Sequence, residues 1–283
     1  MNQEVTIVIL THKSKELVIK FIKNLYKKFK IIIVDNSNDI QLELLIKNIY
    51  SDIDIHLISN NGYSDQINYG LKFVKTEYFL ISNPDVEGIN DLHIQEFLRV
   101  AKKLNNRFSA LGPRYMDANP KSIKQSQNDK DIAELRFLSG ACMFFNKKNY
   151  DLIGGFDNNI FLYFEENDYC MRSKKLFKNY QINNIKIYHE GGNSVSCKYQ
   201  NEIQDQKELR SWHFVWSKFY YYKKNYGYIY AIFFFLPIIL RTSFKIFLYS
   251  ITKDEINYFK YKNRLSGMIS SIKGEKSYKR PKF

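Results

Sequence analysis

Cysteine is scarce, at 3 in 283 residues. Cys142, Cys170 and Cys197 do not have metal-ligand spacing, which argues against a disulfide framework or a cysteine-held metal. They fit reduced thiols in a cytoplasm, with Cys142 expected in the core because residues 141–145 are apolar. No G-x-G-x-x-G follows the first apolar run and no G-x-x-x-x-G-K-[ST] occurs, so neither a dinucleotide cofactor nor a P-loop is supported. Internal repeats and long low-complexity stretches are also lacking. No apolar run reaches the ~20 residues that span a bilayer. Residues 226–240 come nearest, contain Pro237 and stop at Arg241, and are expected to form an interfacial segment. Residues 5–10 are short, without a basic start or small-residue cleavage site, so no signal peptide is expected.

Negative charge is in short supply as well. The chain has 43 Lys and Arg against 29 Asp and Glu, a formal net charge of +14. Residues 198–283 hold 17 of these cations and 6 of the acids, a surplus of 11. Such a tail calls for an anionic partner, nucleic acid or an anionic membrane surface. A nucleic-acid binder would interleave aromatic and basic residues on a sheet or groove. Here they gather in an apolar tail, which favours the membrane and a peripheral place on the inner face of the cell membrane.

What is present is a regular alternation. Apolar runs at 5–10, 31–34, 53–58 and 78–82 read as strands, and residues 16–28, 40–50, 64–75 and 92–103 read as helices. That pattern predicts an α/β fold, a Rossmann-like, mostly parallel sheet flanked by helices. In such sheets ligands bind beyond the carboxyl ends of the strands. Those ends read Thr11-His12, Asp35-Asn36-Ser37, Asn60-Asn61-Gly62 and Asn83-Pro84-Asp85. Any one could be an ordinary turn; four in succession mark a ligand site. In the second half, residues 115–134 read as a mobile polar loop and residues 137–145 as a strand. A helix opens at the acidic segment and runs to about residue 178, and 185–188 form a strand ending at His189.

Phe164-Glu165-Glu166-Asn167-Asp168 sets three carboxylates within four residues at a helix start. Like charges so close raise one another's pKa, which suits a general base. The ordinary alternative is a solvated acidic first turn favoured by the helix dipole. His189, at the end of an apolar run and beside Gly191-Gly192, is placed to supply a neutral nitrogen ligand. His12, His56, His93 and His213 read as surface or packing residues, and Asp157 as a turn residue.

The order of these motifs resembles a known family. The pieces are Val8 to His12, Ile33 to Ser37, Asn60-Asn61-Gly62 with Asn68-Tyr69-Gly70, and Asn83-Pro84-Asp85. Then come Phe137 to Ala141, Gly154-Gly155-Phe156-Asp157, the acidic segment through Arg172, and His189 to Ser194. Together they resemble the inverting, GT-A fold glycosyltransferases of family 2, and within it the rhamnosyltransferase-like branch. The resemblance implies that Thr11 and Asp35 hold the nucleoside, that Asn61 and Gly62 line the nucleotide cleft, and that Asn83 and Asp85 face the diphosphate. Asp85 and His189 would hold Mg²⁺ or Mn²⁺. Glu166 aligns with the catalytic base, Asp168 would lie near the acceptor, and Arg172 would orient the carboxylates. Two departures stand out. Asn83 replaces the first acid of the metal motif, and Glu replaces the usual Asp base, which leaves Glu165, Glu166 and Asp168 in competition.

The expected protein is therefore an inverting, metal-dependent glycosyltransferase of cell-surface polysaccharide synthesis. Its donor would be dTDP-rhamnose or a UDP-sugar, and its acceptor a glycan or lipid-linked saccharide. Residues 1–105 are expected to bind the nucleotide sugar, 106–199 to form the acceptor and catalytic half of the same domain, and 200–283 to form a basic, aromatic helical tail. A catalytically inactive nucleotide- or glycan-binding protein of the same fold is the alternative, and Asn83 is its best argument.

Overall fold

A computed structural model describes residues 2–117, 124–128, 130–189, 195 and 199–282. Cys197 and the stretch from Gly191 to Ser194 lie outside the described residues, as does part of the 115–134 loop. The chain divides into two compact units, Met1–Phe156 with Tyr169–Ser196, and Asp157–Asp168 with Cys197–Phe283.

The first unit opens with four strands. They are β1 (Asn2–Thr11), β2 (Phe29–Asp35), β3 (Asp54–Leu57) and β4 (Tyr78–Ser82), all parallel, in the order β3-β2-β1-β4. Between them run α1 (Lys15–Ile22), α2 (Ile40–Ile49) and α3 (Tyr63–Gly70), the last followed by a 3₁₀ turn at Leu71–Phe73. The central strand β1 buries Val5, Ile7, Val8 and Ile9 completely. Alternate side chains point to opposite faces, so only a sheet covered on both sides can bury such a continuous run. Each buried Val or Ile contributes about 1.5–3 kcal/mol.

Past β4 the sheet is mixed. The remaining strands are β5 (Val86–Glu87), β6 (Ala110–Tyr115), β7 (Ile132–Leu135), β8 (Cys142–Asn146) and β9 (Asn179–His189). They are joined by α4 (Asp91–Lys103), α5 (Lys147–Ile153) and α6 (Glu165–Ser173). β8 lies antiparallel between β4 and β6, and β6 pairs parallel with β9. The other edge of β9 takes β7 at its start and β5 at its end, both antiparallel. Cys142 is buried in β8, as expected, and burial pushes its thiol pKa up to about 12.

The second unit contains α7 (Gln200–Tyr226), α8 (Tyr228–Ile251) and α9 (Glu255–Ile272). Val215, Phe219, Ala231, Phe235 and Met268 form its buried centre. A Cβ on Gly267 would stand 2.6 Å from the Trp212 carbonyl oxygen, so α9 meets α7 at a distance only glycine allows. α8 does not stop at Arg241, where the apolar run ends in the sequence. It continues to Ile251, 24 residues in all, or about 36 Å at 1.5 Å per residue. Lys245 fits inside it because its ammonium donates to the Tyr261 hydroxyl at 2.7 Å.

Candidate active site

In the first unit a polar network fills the carboxyl ends of β1 to β4. Thr11 and Asp35 face each other across the β1–β2 ladder, and the Asn36 amide nitrogen donates to the Thr11 carbonyl at 3.2 Å. Gln66, buried on α3, donates to the carbonyls of Thr11 (2.9 Å) and Val34 (2.7 Å) and accepts from the Asn36 side chain. Asn36 donates also to the Asn60 side chain, which accepts from the Gly62 backbone at 3.3 Å. Gly62 starts α3 at φ 110°, a left-handed value that a Cβ would strain. Asn61 beside it is exposed. The next residue, Tyr63, donates its hydroxyl to the Asn83 side-chain oxygen at 2.8 Å and lies 3.0 Å from the Gly140 carbonyl.

These contacts link Thr11, Asp35, Gly62 and Asn83, four of the residues read from the sequence. They also add Asn36, Asn60, Tyr63 and Gln66, which that reading did not assign. The only signal for Gln66 is a polar residue on the buried face of a helix that starts at a strand end. Asp35 serves its own loop, accepting from the Ser37 hydroxyl (2.7 Å) and from the amides of Ser37 and Asp39. His12 is bonded through Nδ1 to the Asn36 side-chain oxygen at 2.8 Å, and burial lowers its pKa.

The β5–β9 ladder brings Asp85 and His189 together. Val86 pairs with His189, so Asp85 precedes the very residue that faces the histidine. His189 Nε2 stands 3.4 Å from Asp85 Oδ2. The Asp85 side chain is only 4% exposed, yet neither carboxylate oxygen has a hydrogen-bond partner among the described residues. A buried carboxylate left so costs free energy that a native chain rarely carries without reason. Asp117, another residue not assigned from the sequence, accepts from the His189 amide at 2.8 Å and holds the end of β9. Hard carboxylate oxygens beside one imidazole nitrogen suit a divalent cation of the Mg²⁺–Mn²⁺ class. No group of three or more His, Cys, Asp or Glu able to hold a metal occurs among the described residues. An ion at Asp85 and His189 would thus take most of its ligands from a diphosphate and water.

The acids of α6 belong to the second unit. Glu165, Glu166 and Asp168 are all buried, which removes the reading of a solvated acidic first turn. Tyr163 and Phe164, immediately before them, have φ of 67° and 68°. Aromatic residues in that region are strained, and such strain gathers at functional sites. Phe164 is held against the rings of Phe214 and Tyr221. Asp168 is paired with Lys224 at 2.9 Å, and the same ammonium lies 2.6 Å from Asp157. Asp157 also accepts from the Tyr220 hydroxyl and from Asn159. Burial opposes its charge, but hydrogen bonds from Lys224 and Asn159 outweigh this and hold its pKa below the usual value. Lys224 was not foreseen from the sequence, being 56 residues from Asp168. Back in the first unit, Arg172 binds the carbonyls of Ile153 and Gly155.

Known proteins share this architecture. A mannosyltransferase from Pyrobaculum calidifontis, solved with GDP-Man and Mn²⁺, superposes with a TM-score of 0.56 at 12% identity, over 96% of this chain and 86% of that one. TarS 1–349 of S. aureus gives 0.56 at 12% identity, over 96% and 92%. A longer TarS chain is covered over 39% of its length. At these identities the likeness establishes the fold, which is GT-A. In sequence, the chain is 26% identical over 201 residues to the low-salt glycan biosynthesis hexosyltransferase Agl10 of Haloferax volcanii, a match that spans 62% of this chain and 63% of that protein. The pattern of glycosyl transferase family 2 matches residues 6–181. With well over half of its length matched, the chain belongs to glycosyl transferase family 2.

Proposed function

We propose that this chain moves a hexosyl group, with inversion, from a nucleoside-diphosphate sugar to a hydroxyl of a glycan or lipid-linked saccharide. The observation that carries the proposal is the buried Asp85 carboxylate, without hydrogen-bond partners beside His189, in a family 2 chain. Thr11, Asp35 and the Asn36–Gln66 network would form the nucleoside end of the donor site, and Gly62 and Asn83 would line the nucleotide cleft. Asp85 and His189 would hold Mg²⁺ or Mn²⁺, whose positive charge stabilises the departing diphosphate.

Glu166 is assigned as the base. It removes the proton of the acceptor hydroxyl as that oxygen bonds to the anomeric carbon and the bond to the diphosphate oxygen breaks. Asp168 is less suited, because Lys224 and Asn225 already occupy its oxygens. The Asn83-Pro84-Asp85 and Phe164–Asp168 patterns support dTDP-rhamnose as donor, with a UDP-hexose second.

Thermal unfolding with dTDP-rhamnose, UDP-hexoses and GDP-mannose, each with Mn²⁺ or with chelator, tests the donor site. Ligand at a hundredfold excess over Kd stabilises by about 2.7 kcal/mol. A metal-dependent rise with one donor is expected. No rise with any donor, or equal rises with chelator, would refute the site. Binding without turnover on any acceptor would favour the inactive alternative.

A further inference from the structure

α8 shows one face to solvent along its whole length, and that face is apolar. Ile229, Phe233, Leu236, Leu240, Phe244 and Phe247 are all exposed, Ile229 and Phe233 above 70%. Their spacing of three and four residues sets them in one stripe. The opposite face, with Ala231, Phe235 and Thr242, is buried against the other helices of the second unit. Monomeric soluble proteins rarely leave so large an apolar surface uncovered. Past the turn, Ile256 (81% exposed) and Phe259 at the start of α9 are exposed as well.

We infer that α8 is an in-plane membrane anchor, lying parallel to an anionic bilayer with this stripe immersed in the acyl boundary. By length and composition α8 could also cross a membrane. Its neighbours argue against crossing. Lys218 of α7 lies over the rings of Phe234 and Phe235, and Lys245 is bonded to Tyr261 of α9. A spanning α8 would draw these cations into hydrocarbon, where charge is strongly disfavoured. Lying flat, the stripe enters the acyl region while the cations remain at headgroup level. Tyr226 at the end of α7, and Tyr228 and Tyr230 at the amino end of α8, are exposed, and such amphipathic rings favour the interface.

The partner's charge follows from the surplus of 11 cations in residues 198–283. Anionic lipid complements that charge, whereas a second copy of the same face would repel it. The inference does not depend on the reading of the catalytic residues.

The full chain should co-sediment with phosphatidylglycerol–phosphatidylcholine vesicles and much less with phosphatidylcholine alone. High salt should release only part of it, because screening weakens the charges and leaves the apolar contact. The double substitution Phe244→Glu and Phe247→Glu, on exposed positions, should weaken binding roughly tenfold or more with unchanged thermal unfolding. Depth is read by brominated-lipid quenching of single Trp substitutions at Ile229, Leu240 and Phe247, measured against wild type, in which Trp212 and Trp216 are buried. Equal shallow depths are expected at all three. A gradient with Leu240 deepest would mean a span and overturn the in-plane anchor. So would full release by salt, or failure to bind anionic vesicles together with concentration-dependent self-association.

Discussion

The first unit buries its central apolar strand and leaves an acid unsatisfied: Val5 to Ile9 are fully buried, while the Asp85 carboxylate has no hydrogen-bond partner among the described residues. The second unit shows a different balance. Asp157 and Asp168 share Lys224, and His213 has partners on both ring nitrogens, while the apolar face of α8 stands in solvent. The first unit carries an unsatisfied carboxylate, and the second carries an uncovered apolar face. Each kind of surplus names the kind of partner that relieves it.

The sharpest test of that contrast is Asp85→Ala. Transfer should fall roughly 10³-fold, about 4 kcal/mol of transition-state stabilisation. The same variant without metal or donor should unfold at equal or higher temperature, since a buried carboxylate without hydrogen bonds is gone. Near wild-type turnover, or clear destabilisation, would break the contrast. Next in size, Glu166→Gln should lower turnover by ~10²-fold with donor binding retained. If Asp168→Asn has that effect instead, the base lies two residues on.

Lys224→Met should act on stability. Buried Asp168 and half-buried Asp157 would lose their shared cation, at about 2 kcal/mol, less than the 3–5 typical of a fully buried pair because Lys224 is partly exposed. Chemical denaturation of wild type and variant measures it. The smallest effect is that of pH on His213. Burial lowers its pKa to about 4, with help from the charges of Arg280 and Lys279. Its Nε2 must carry the proton donated to the Lys279 carbonyl at 2.8 Å. The unfolded chain therefore binds more protons between the ordinary histidine value and about 4, and stability falls as pH drops through that window. At pH 5.5 the loss from this residue is about 1.2 kcal/mol relative to pH 7. His213→Gln should flatten that slope.

Much of the first unit is legible in its residues. β1, β2 and β4 have apolar centres, and polar turn residues mark where each ends, so this part of the candidate site can be located by position alone. The Asp85–His189 contact required more. Asp85 and His189 meet only through a two-residue ladder that no periodicity reveals, and the family resemblance brought them together. β6 and β7 escaped because β6 carries Gly112 and Pro113 and β7 has only four residues. Lys224 escaped because it is distant in sequence from both acids it serves. The true length of α8 was obscured by Arg241 and Lys245, which read as a stop until Tyr261 is seen to accept the lysine.

That two-residue ladder has a kinetic consequence. β5 is the shortest strand in the sheet, Val86 and Glu87 alone, and is held against the last turn of backbone before the chain leaves β9. Short ladders open locally at far lower free energy than the whole domain. Asp85 and His189 are therefore expected to part more readily than residues in the long strands. Hydrogen exchange in β5 should be fast in the unliganded protein. It should slow sharply once donor and metal fasten the two strands to each other, making this edge of the sheet a clock for occupancy.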